Sequence, residues 1–566
     1  MTRILIRRPA TQVEDSEALT PLQHRLFSGR GITNAVELQH DLSELLPPVN
    51  MLGLEKAATI LANAVQQARQ ILIVGDYDAD GATSSALMVS ALRAMGCSKV
   101  DYLVPNRFNF GYGLTPEIVE IARKVSPDLI VTVDNGISSV CGVNEANRYG
   151  IEVVITDHHL PGEEIPAAAA IVNPNQSGCR FASKNLAGVG VAFYLLSAVR
   201  QQLRFEGWFD SQPILRLSDY LDLVALGTIA DVVPLDRNNR VLVNEGLRRI
   251  RAGRARPGIN ALLHCAGVDF RCVTTRELAF GVGPRLNAAG RLQDMSLGIE
   301  CLLSGGDSAY QFARTLNDIN NARKDIEGEM KQQAEMALSS IPVEKSLVGI
   351  CLYHQDWHQG VVGIVASRIK DKSHRPVIAF AKVSETELKG SARSVSGFHI
   401  RDALDAIATR NPGLVNKFGG HAMAAGLSLE CSNYERFAEE FDIEARCWLS
   451  DEDLQNKLVS DGELEEITMD VTQTVVNAAP WGQGFPEPVF DGRFEVIEQR
   501  IIGERHLKLK VRPLDSQQIL DAIAFNHPFL LERRVLRVAY RLDINRYRGR
   551  ESVQLIIEET DVSEPQ

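Results

Sequence analysis

The sequence predicts an α/β protein: a parallel-sheet domain, a long connecting helix, a second α/β domain and a C-terminal β-barrel. Three observations carry this. Between residues 50 and 175, helical patterns alternate with short apolar runs, the signature of βαβ units. Residues 308–340 are polar, helix-favouring and free of Pro. After Phe490, short strand-like runs dominate.

In chain order, residues 1–48 read as an N-terminal extension with little chemistry. Residues 49–305 form the first domain. Its helices are expected at 54–69, 82–95, 115–125 and 140–149, and its strands at 71–75, 99–104, 129–133, 151–155 and 169–172. Helical patterns follow at 186–204 and 218–229. Residues 306–342 read as one bridging helix, with Gly328 the place where it would break into two. A second α/β domain spans 343–450 and opens on Ser346-Leu347-Val348-Gly349-Ile350. Residues 451–566 combine an acidic linker (451–470) with the barrel, whose strands include Leu507–Val511, Ile519–Phe525, Val535–Ile544 and Val553–Ile557.

The length of 566 residues suits about four domains, and 45% apolar with 23% charged residues is ordinary for a globular protein. No run approaches the roughly 18 apolar residues of a membrane span. Met1–Pro9 has three Arg and no stretch for a signal peptide. No membrane partner and a cytoplasmic location are expected. The nine Cys are scattered and form no Cys-x-x-Cys pair, against a zinc ribbon or disulfide framework. The net charge of −12 is uneven: Asp491–Arg550 holds 13 Lys/Arg against 8 Asp/Glu, a local +5 that leaves −17 elsewhere. A basic domain on an acidic chain points to a polyanionic partner.

Three apolar runs end in metal-seeking residues. Ile71–Gly75 leads into Asp76-Tyr77-Asp78-Ala79-Asp80-Gly81, Leu129–Val133 into Asp134-Asn135-Gly136, and Ile151–Thr156 into Asp157-His158-His159. Open parallel sheets bind ligands beyond such strand ends. An EF-hand is excluded, because the position that must be Glu is Leu87 and a strand precedes the loop. A helix cap accounts for one Asp; three at alternate positions would repel each other without a cation. Carboxylates with imidazole suit Mn²⁺ or Mg²⁺. Five Asp and two His exceed one ion's needs, so a two-metal site and phosphoester hydrolysis are expected. His158 and His159 point in different directions on extended backbone, so one can ligate while the other meets substrate or bonds to backbone. Asp231, inside the apolar stretch Leu226–Pro234, is either a helix cap or a sixth carboxylate ligand.

Other residues have two readings each. Arg107 holds a phosphate or is a solvated loop residue. Tyr112, between two glycines, stacks on a base or is merely exposed. Arg285 and Arg291 around Asn287 meet a ligand or mark tight helix packing. Gly419-Gly420-His421 cradles a phosphate or serves packing. Ala187–Ala192 lacks the third Gly of a dinucleotide fingerprint and reads as close helix packing. Arg505, His506, Lys508, Lys510, Arg546, Tyr547, Arg548 and Arg550 form a single-strand groove or a solvated basic face.

Taken together, Gly75–Gly81, Val133–Gly136, Asp157-His158-His159 and Gly227–Pro234 resemble the DHH phosphoesterases, named for the Asp-His-His run. Further runs at Val104–Leu114, Gly283–Arg291, Trp357–Ile364 and Phe418–Gly426 are similar to the family's bacterial exonucleases specific for single-stranded DNA. The similarity covers nearly the whole chain. It implies metal ligands Asp76, Asp78, Asp80, Asp134, His158 and Asp231, and catalytic roles for His159, Asp157 and Asp134. It implies substrate contacts from Arg107, Tyr112, Arg285, Asn287 and His421, with Ser391 and Arg393 of a DHH-associated domain gripping the 5′ phosphate. The barrel resembles an OB-fold. The implied activity is processive 5′→3′ hydrolysis of single-stranded DNA with two Mn²⁺ or Mg²⁺, in recombination and repair. Single-strand-binding protein and a helicase are the implied partners. One departure stands out: the family's Gly-Ser-Gly-Arg-Ser is here Gly390-Ser391-Ala392-Arg393-Ser394, so a positive φ at 392 would be strained. Two rivals are an enzyme for very short substrates, which the basic third domain disfavours, and a non-catalytic scaffold, which the filled ligand set disfavours.

Overall fold

The computed structural model describes residues 3–106, 110–210, 214–339, 347–547 and 549–562. Arg107, Arg548, the Tyr547 side chain and the expected domain start at Ser346 lie outside the described part.

A short strand, β1 (Ile4–Arg7), opens the chain. The first domain then builds a five-stranded parallel sheet: β2 (Ile71–Gly75), β3 (Val100–Leu103), β4 (Leu129–Val133), β5 (Glu152–Thr156) and β6 (Ala170–Val172). Its spatial order is β3-β2-β4-β5-β6. β2 and β4 are buried along their whole length, which is why they read as unbroken apolar runs. The register pairs Gly75 with Val133, Val133 with Thr156, and Thr156 with Val172. Four strands therefore end level on one edge.

Helix Ala79–Ala94 starts three residues earlier than the sequence pattern suggests. Asp78 explains this: its side chain caps the helix by accepting from the amides of Asp80 and Gly81. The bridging segment is one unbroken helix, Gly306–Ser339, about 50 Å long at 1.5 Å per residue. The helix runs through Gly328 without a break, and a Cβ there would meet nothing within 4 Å. Met330 and Ala334 join the core of the second domain.

The second domain carries β7 (Ile350–Tyr353), β8 (Val377–Lys382), β9 (Glu387–Arg393), β10 (Lys417–Gly420) and β11 (Ala424–Glu430). They form a mixed sheet ordered β10-β11-β9-β8-β7.

Residues 451–470, expected as a bare linker, contain β12 (Lys457–Ser460), which pairs in parallel with β1. The N-terminal extension is thus part of the fold. Backbone pairing, ion pairs (Arg7 with Asp491, Arg8 with Asp461) and buried apolar residues such as Leu5, Leu26 and Phe27 hold it, all to partners far along the chain that local pattern does not reveal. A closed barrel follows: β13 (Phe490–Ile502), β14 (His506–Pro513), β15 (Leu520–Ala524), β16 (Val535–Tyr547) and β17 (Arg550–Thr560), ordered β13-β14-β15-β17-β16. Among the described residues no helix is long and apolar enough to cross a membrane.

Candidate metal centre and cleft

The level strand ends present Asp76, Asp134, Asp157 and Asn173 as four successive teeth. Asp76, Asp134 and Asp157 are buried. Asp134 has a left-handed φ of 61°, unusual for a residue other than Gly and characteristic of a constrained site.

The helix after β2 adds Asp78 and Asp80. Asp80 is fully buried and accepts from the amides of Gly188 (2.6 Å) and Val189 (2.9 Å). These belong to the start of helix Gly188–Phe205, whose free amides favour a carboxylate. A Cβ on Gly188 would lie 2.6 Å from Cβ of Asp134, so only Gly lets this helix approach. The close-packing reading of Ala187–Ala192 gains a purpose: it brings two amides to the Asp80 carboxylate.

His158 joins these groups. Its Nε2 lies 3.1 Å from Oδ1 of Asp134, 3.5 Å from Oδ2 of Asp231 and 4.0 Å from Oδ2 of Asp80. Asp231 comes from the end of helix Leu221–Ala230, and Val232 beside it has φ 64°. Three overlapping sets have ligand atoms within 4.8 Å of one another: Asp76-Asp78-Asp134, Asp80-His158-Asp231, and Asp134-His158-His159.

The donor set fits divalent ions. Oδ1 of Asp134, Nε2 of His158 and Oδ2 of Asp231 are buried and have no hydrogen-bond partner among the described residues. Burial, then the neighbouring His159, lowers the proton affinity of His158, so its ring tends to be neutral. Carboxylate oxygens facing an imidazole lone pair in a dry site repel unless a cation lies between them. Burial, then Asp80, pushes Asp134 well above the usual carboxylate range. Burial, then Asp231, raises Asp80; burial, then Asp78, raises Asp231. At an effective dielectric of 20, two like charges 4 Å apart cost about 4 kcal/mol. Oxygen and imidazole donors suit Mn²⁺ or Mg²⁺, and Asp134 and His158 each belong to two of the sets, so the cluster has donors enough for two ions.

His159 sits beside this cluster in a different role. Its Nδ1 is 2.7 Å from Oδ1 of Asp157. Asp157 also accepts from the amides of Ile137, His158 and His159. Burial raises the Asp157 carboxyl, but the His159 hydrogen bond and charge outweigh it and the net shift is downward. Burial opposes protonation of His159, but the hydrogen bond to Asp157 raises it to about 9. Asp157 thus holds His159 rather than facing the cleft. Asn173 and Asn175 fix the same run, donating to the carbonyls of His159 (2.9 Å) and His158 (2.6 Å). Sequence reasoning missed both. The signal was present, since Asn173-Pro174-Asn175 follows the fourth apolar run at the same sheet edge.

Tyr112 meets the cleft with its hydroxyl, 3.1 Å from the Asp134 carbonyl and 3.1 Å from Nδ1 of His159. His421, in the turn between β10 and β11, faces His159 from the second domain. On β9, Arg393 donates to Ser391 Oγ at 3.0 Å, and both lie against Gly363 at the start of helix Val362–Ser373. Ala392 is buried in regular strand without positive φ, so its methyl brings no strain.

Two expected substrate contacts are placed differently. Arg285 turns inward and donates to the carbonyls of Gly281 and Cys265 and to Asn317. Three of its five N–H donors are used inside the protein, which favours the tight-packing reading over the expected substrate contact. Asn287 accepts from the Ala79 amide at 2.8 Å and so supports the Asp76–Asp80 segment. In the barrel, Lys510 pairs with Glu498 and Arg546 with Glu551, while His506 packs edge-on against exposed Phe525.

Three family models match the chain: the DHH family N-terminal domain over residues 70–228, the DHHA1 domain over 344–445 and the RecJ OB domain over 461–559. The chain is 51% identical to the single-stranded-DNA-specific exonuclease RecJ of Escherichia coli, covering 98% of each protein. It is 49% identical to the RecJ of Haemophilus influenzae, again over 98% of each. The crystal structure of Thermus thermophilus RecJ in complex with Mn²⁺ aligns with a TM-score of 0.80 at 29% identity, covering 99% of this chain and 79% of that one. A Mg²⁺ complex of the same protein aligns at 0.75. With its three domains, strand-end ligands and full-length similarity accounted for, the chain belongs to the RecJ family of single-stranded-DNA-specific exonucleases.

Proposed function

We propose that this chain hydrolyses single-stranded DNA from its 5′ end with two divalent ions, in recombination and repair in the cytoplasm. The observation that carries it is the convergence of unpartnered Asp134, His158 and Asp231 atoms in a buried cluster fed by level strand ends.

The ligands are Asp76, Asp78, Asp80, Asp134, His158 and Asp231. Bound Mn²⁺ or Mg²⁺ supplies Lewis acidity that activates water and neutralises charge on the phosphoryl oxygens. His159, kept cationic by Asp157, donates to a phosphoryl oxygen as negative charge develops there. Tyr112 keeps that imidazole in place through its hydroxyl. Ser391 and Arg393, on β9 beside the start of helix Val362–Ser373, hold the terminal phosphate and so set the polarity. Arg107 adds a further phosphate contact. His421 closes the cleft from above. The basic face of the barrel, with Phe525 as a stacking ring, tracks the following nucleotides. Single-strand-binding protein and a helicase supply such strands.

Digestion of a long strand labelled at either end, with Mn²⁺ and then with chelator, tests the proposal. Early release of the 5′ label only with metal is expected. Early release of the 3′ label overturns the polarity, and equal or faster turnover of a dinucleotide overturns the long-strand substrate.

A further inference from the structure

The loop that carries Asp231 is strained and is braced from one side. Val232 is β-branched yet has φ 64°, a conformation that persists only where the surroundings hold it. The loop borders a cavity of about 380 Å³, lined in part by Val232, Val233, Phe280 and Ala479. Against the next residues sits the tight turn Gly482–Phe485, closed by backbone hydrogen bonds in both directions. The Gln483 carbonyl accepts from the Leu235 amide at 2.7 Å. Gly484 has φ 71°, and a Cβ there would lie 3.2 Å from Cβ of Pro234. Arg240 ties the pair together, donating to the Leu235 carbonyl at 3.0 Å and lying 4.4 Å over the Phe485 ring.

The N-terminal segment holds that turn. Phe27 stacks on Trp481 at 6.1 Å, and Trp481 on Phe485 at 5.3 Å. Arg30 lies 5.0 Å over Trp481 and donates to the Pro486 carbonyl at 2.6 Å. It also grips both oxygens of Asp461, at 2.8 and 2.9 Å. Both charged side chains are buried, so removing one strands the other. The adjacent residues Leu26 and Phe27 enter two different cores, Leu26 that of the barrel and Phe27 that of the metal-bearing domain.

We infer that Phe27, Arg30 and the Trp481–Pro486 segment form a strut that positions Asp231, so that the seating of the barrel sets the affinity of the metal centre. This rests on the metal-centre reading above. Arg30 is a positioning residue: it meets Trp481, Pro486, Asp461 and the Leu26 carbonyl and acts on Asp231 only through them.

Mn²⁺ binding to the full chain, measured by calorimetry, tests the strut. Supporting residues around metal ligands typically govern about 10–100-fold in affinity. Arg30→Gln and Gly484→Ala are each expected to weaken Mn²⁺ binding about tenfold. Leu404→Ala, a truncation in the second-domain core remote from the strut, is expected to keep wild-type affinity. Unchanged binding in Gly484→Ala, or an equal loss in Leu404→Ala, overturns the inference. If Arg30→Gln fails to fold, Gly484→Ala decides alone, since it strands no charge. A wild-type chain that binds no Mn²⁺ overturns the metal centre itself. A wild-type chain that binds Mn²⁺ with variants of equal affinity overturns only the strut.

Discussion

The imidazole of His421 lies nearly parallel to that of His159, with 20° between the planes and 6.4 Å between ring centres. They come from different domains and differ in charge preference. Asp157 raises His159 to about 9, whereas burial, then the charge of His159, lowers His421. The pair therefore offers one cationic and one neutral ring to whatever enters the cleft.

Different losses follow for the two rings. Losing a charge-stabilising donor typically costs about 10²–10³ in kcat, and His159→Ala is expected to do so while leaving Mn²⁺ affinity within a few-fold. His421→Ala is expected to raise KM about tenfold, the loss of roughly 1.4 kcal/mol of binding. Steady-state digestion of a labelled strand, with calorimetry of Mn²⁺, separates them. A fall in Mn²⁺ affinity in His159→Ala would make it a ligand instead.

Gly188→Ala probes the approach of a helix to the centre. The new Cβ would fall 2.6 Å from Cβ of Asp134, so either the helix or the ligand must move. A displacement near 1 Å can cost about 10²-fold in rate, and that loss is expected here in single-turnover cleavage. Wild-type rates would show that the helix yields freely.

Without a cation the clustered carboxylates repel one another, so metal should stabilise the fold. At a hundred times its dissociation constant, a ligand adds about 2.7 kcal/mol. Mn²⁺ is expected to raise the melting temperature and chelator to lower it. Asp134→Asn removes one of the repelling charges, so in chelator it should melt no lower than wild type, while losing the Mn²⁺ shift. A variant that melts lower in chelator would mean that Asp134 stabilises the fold without metal.

His40 predicts acid sensitivity of the N-terminal segment. Burial, then Arg240, lowers its pKa to about 4, and its Nε2 faces Arg240 Nε at 3.4 Å. The folded state thus resists a proton that the unfolded chain accepts near pH 6.5. Stability is full above 6.5 and falls progressively toward 4. Linkage puts the loss between pH 7 and pH 5 at about 1–2 kcal/mol. Denaturant unfolding of wild type and His40→Gln at both pH values checks this, and the loss should shrink in the variant.

Much of the centre was legible because strand ends write themselves as apolar runs followed by ligands. The predicted bounds of Ile71–Gly75 and Leu129–Val133 coincide with the strands. Asp231 was visible as a carboxyl in an apolar stretch. What stayed hidden depends on distance or direction. The Gly188 and Val189 amides act on Asp80 from more than a hundred positions away, and amides leave no mark in composition. The direction of Arg285 follows from helix packing, which spacing alone does not give. The contacts of Arg30 with Asp461 span 431 positions, and local pattern carries no trace of such a pair.

The late position of Asp231 bears on how the protein comes into being. The sheet supplies Asp76, Asp134 and His158 early in synthesis, but Asp231 joins them only when the helix Leu221–Ala230 forms and docks. A chain emerging from the ribosome passes through a stage with an open, unbalanced cluster of acids. The set Asp80-His158-Asp231 is therefore complete only once that helix has docked, whereas Asp76, Asp78 and Asp134 come together as soon as the sheet forms.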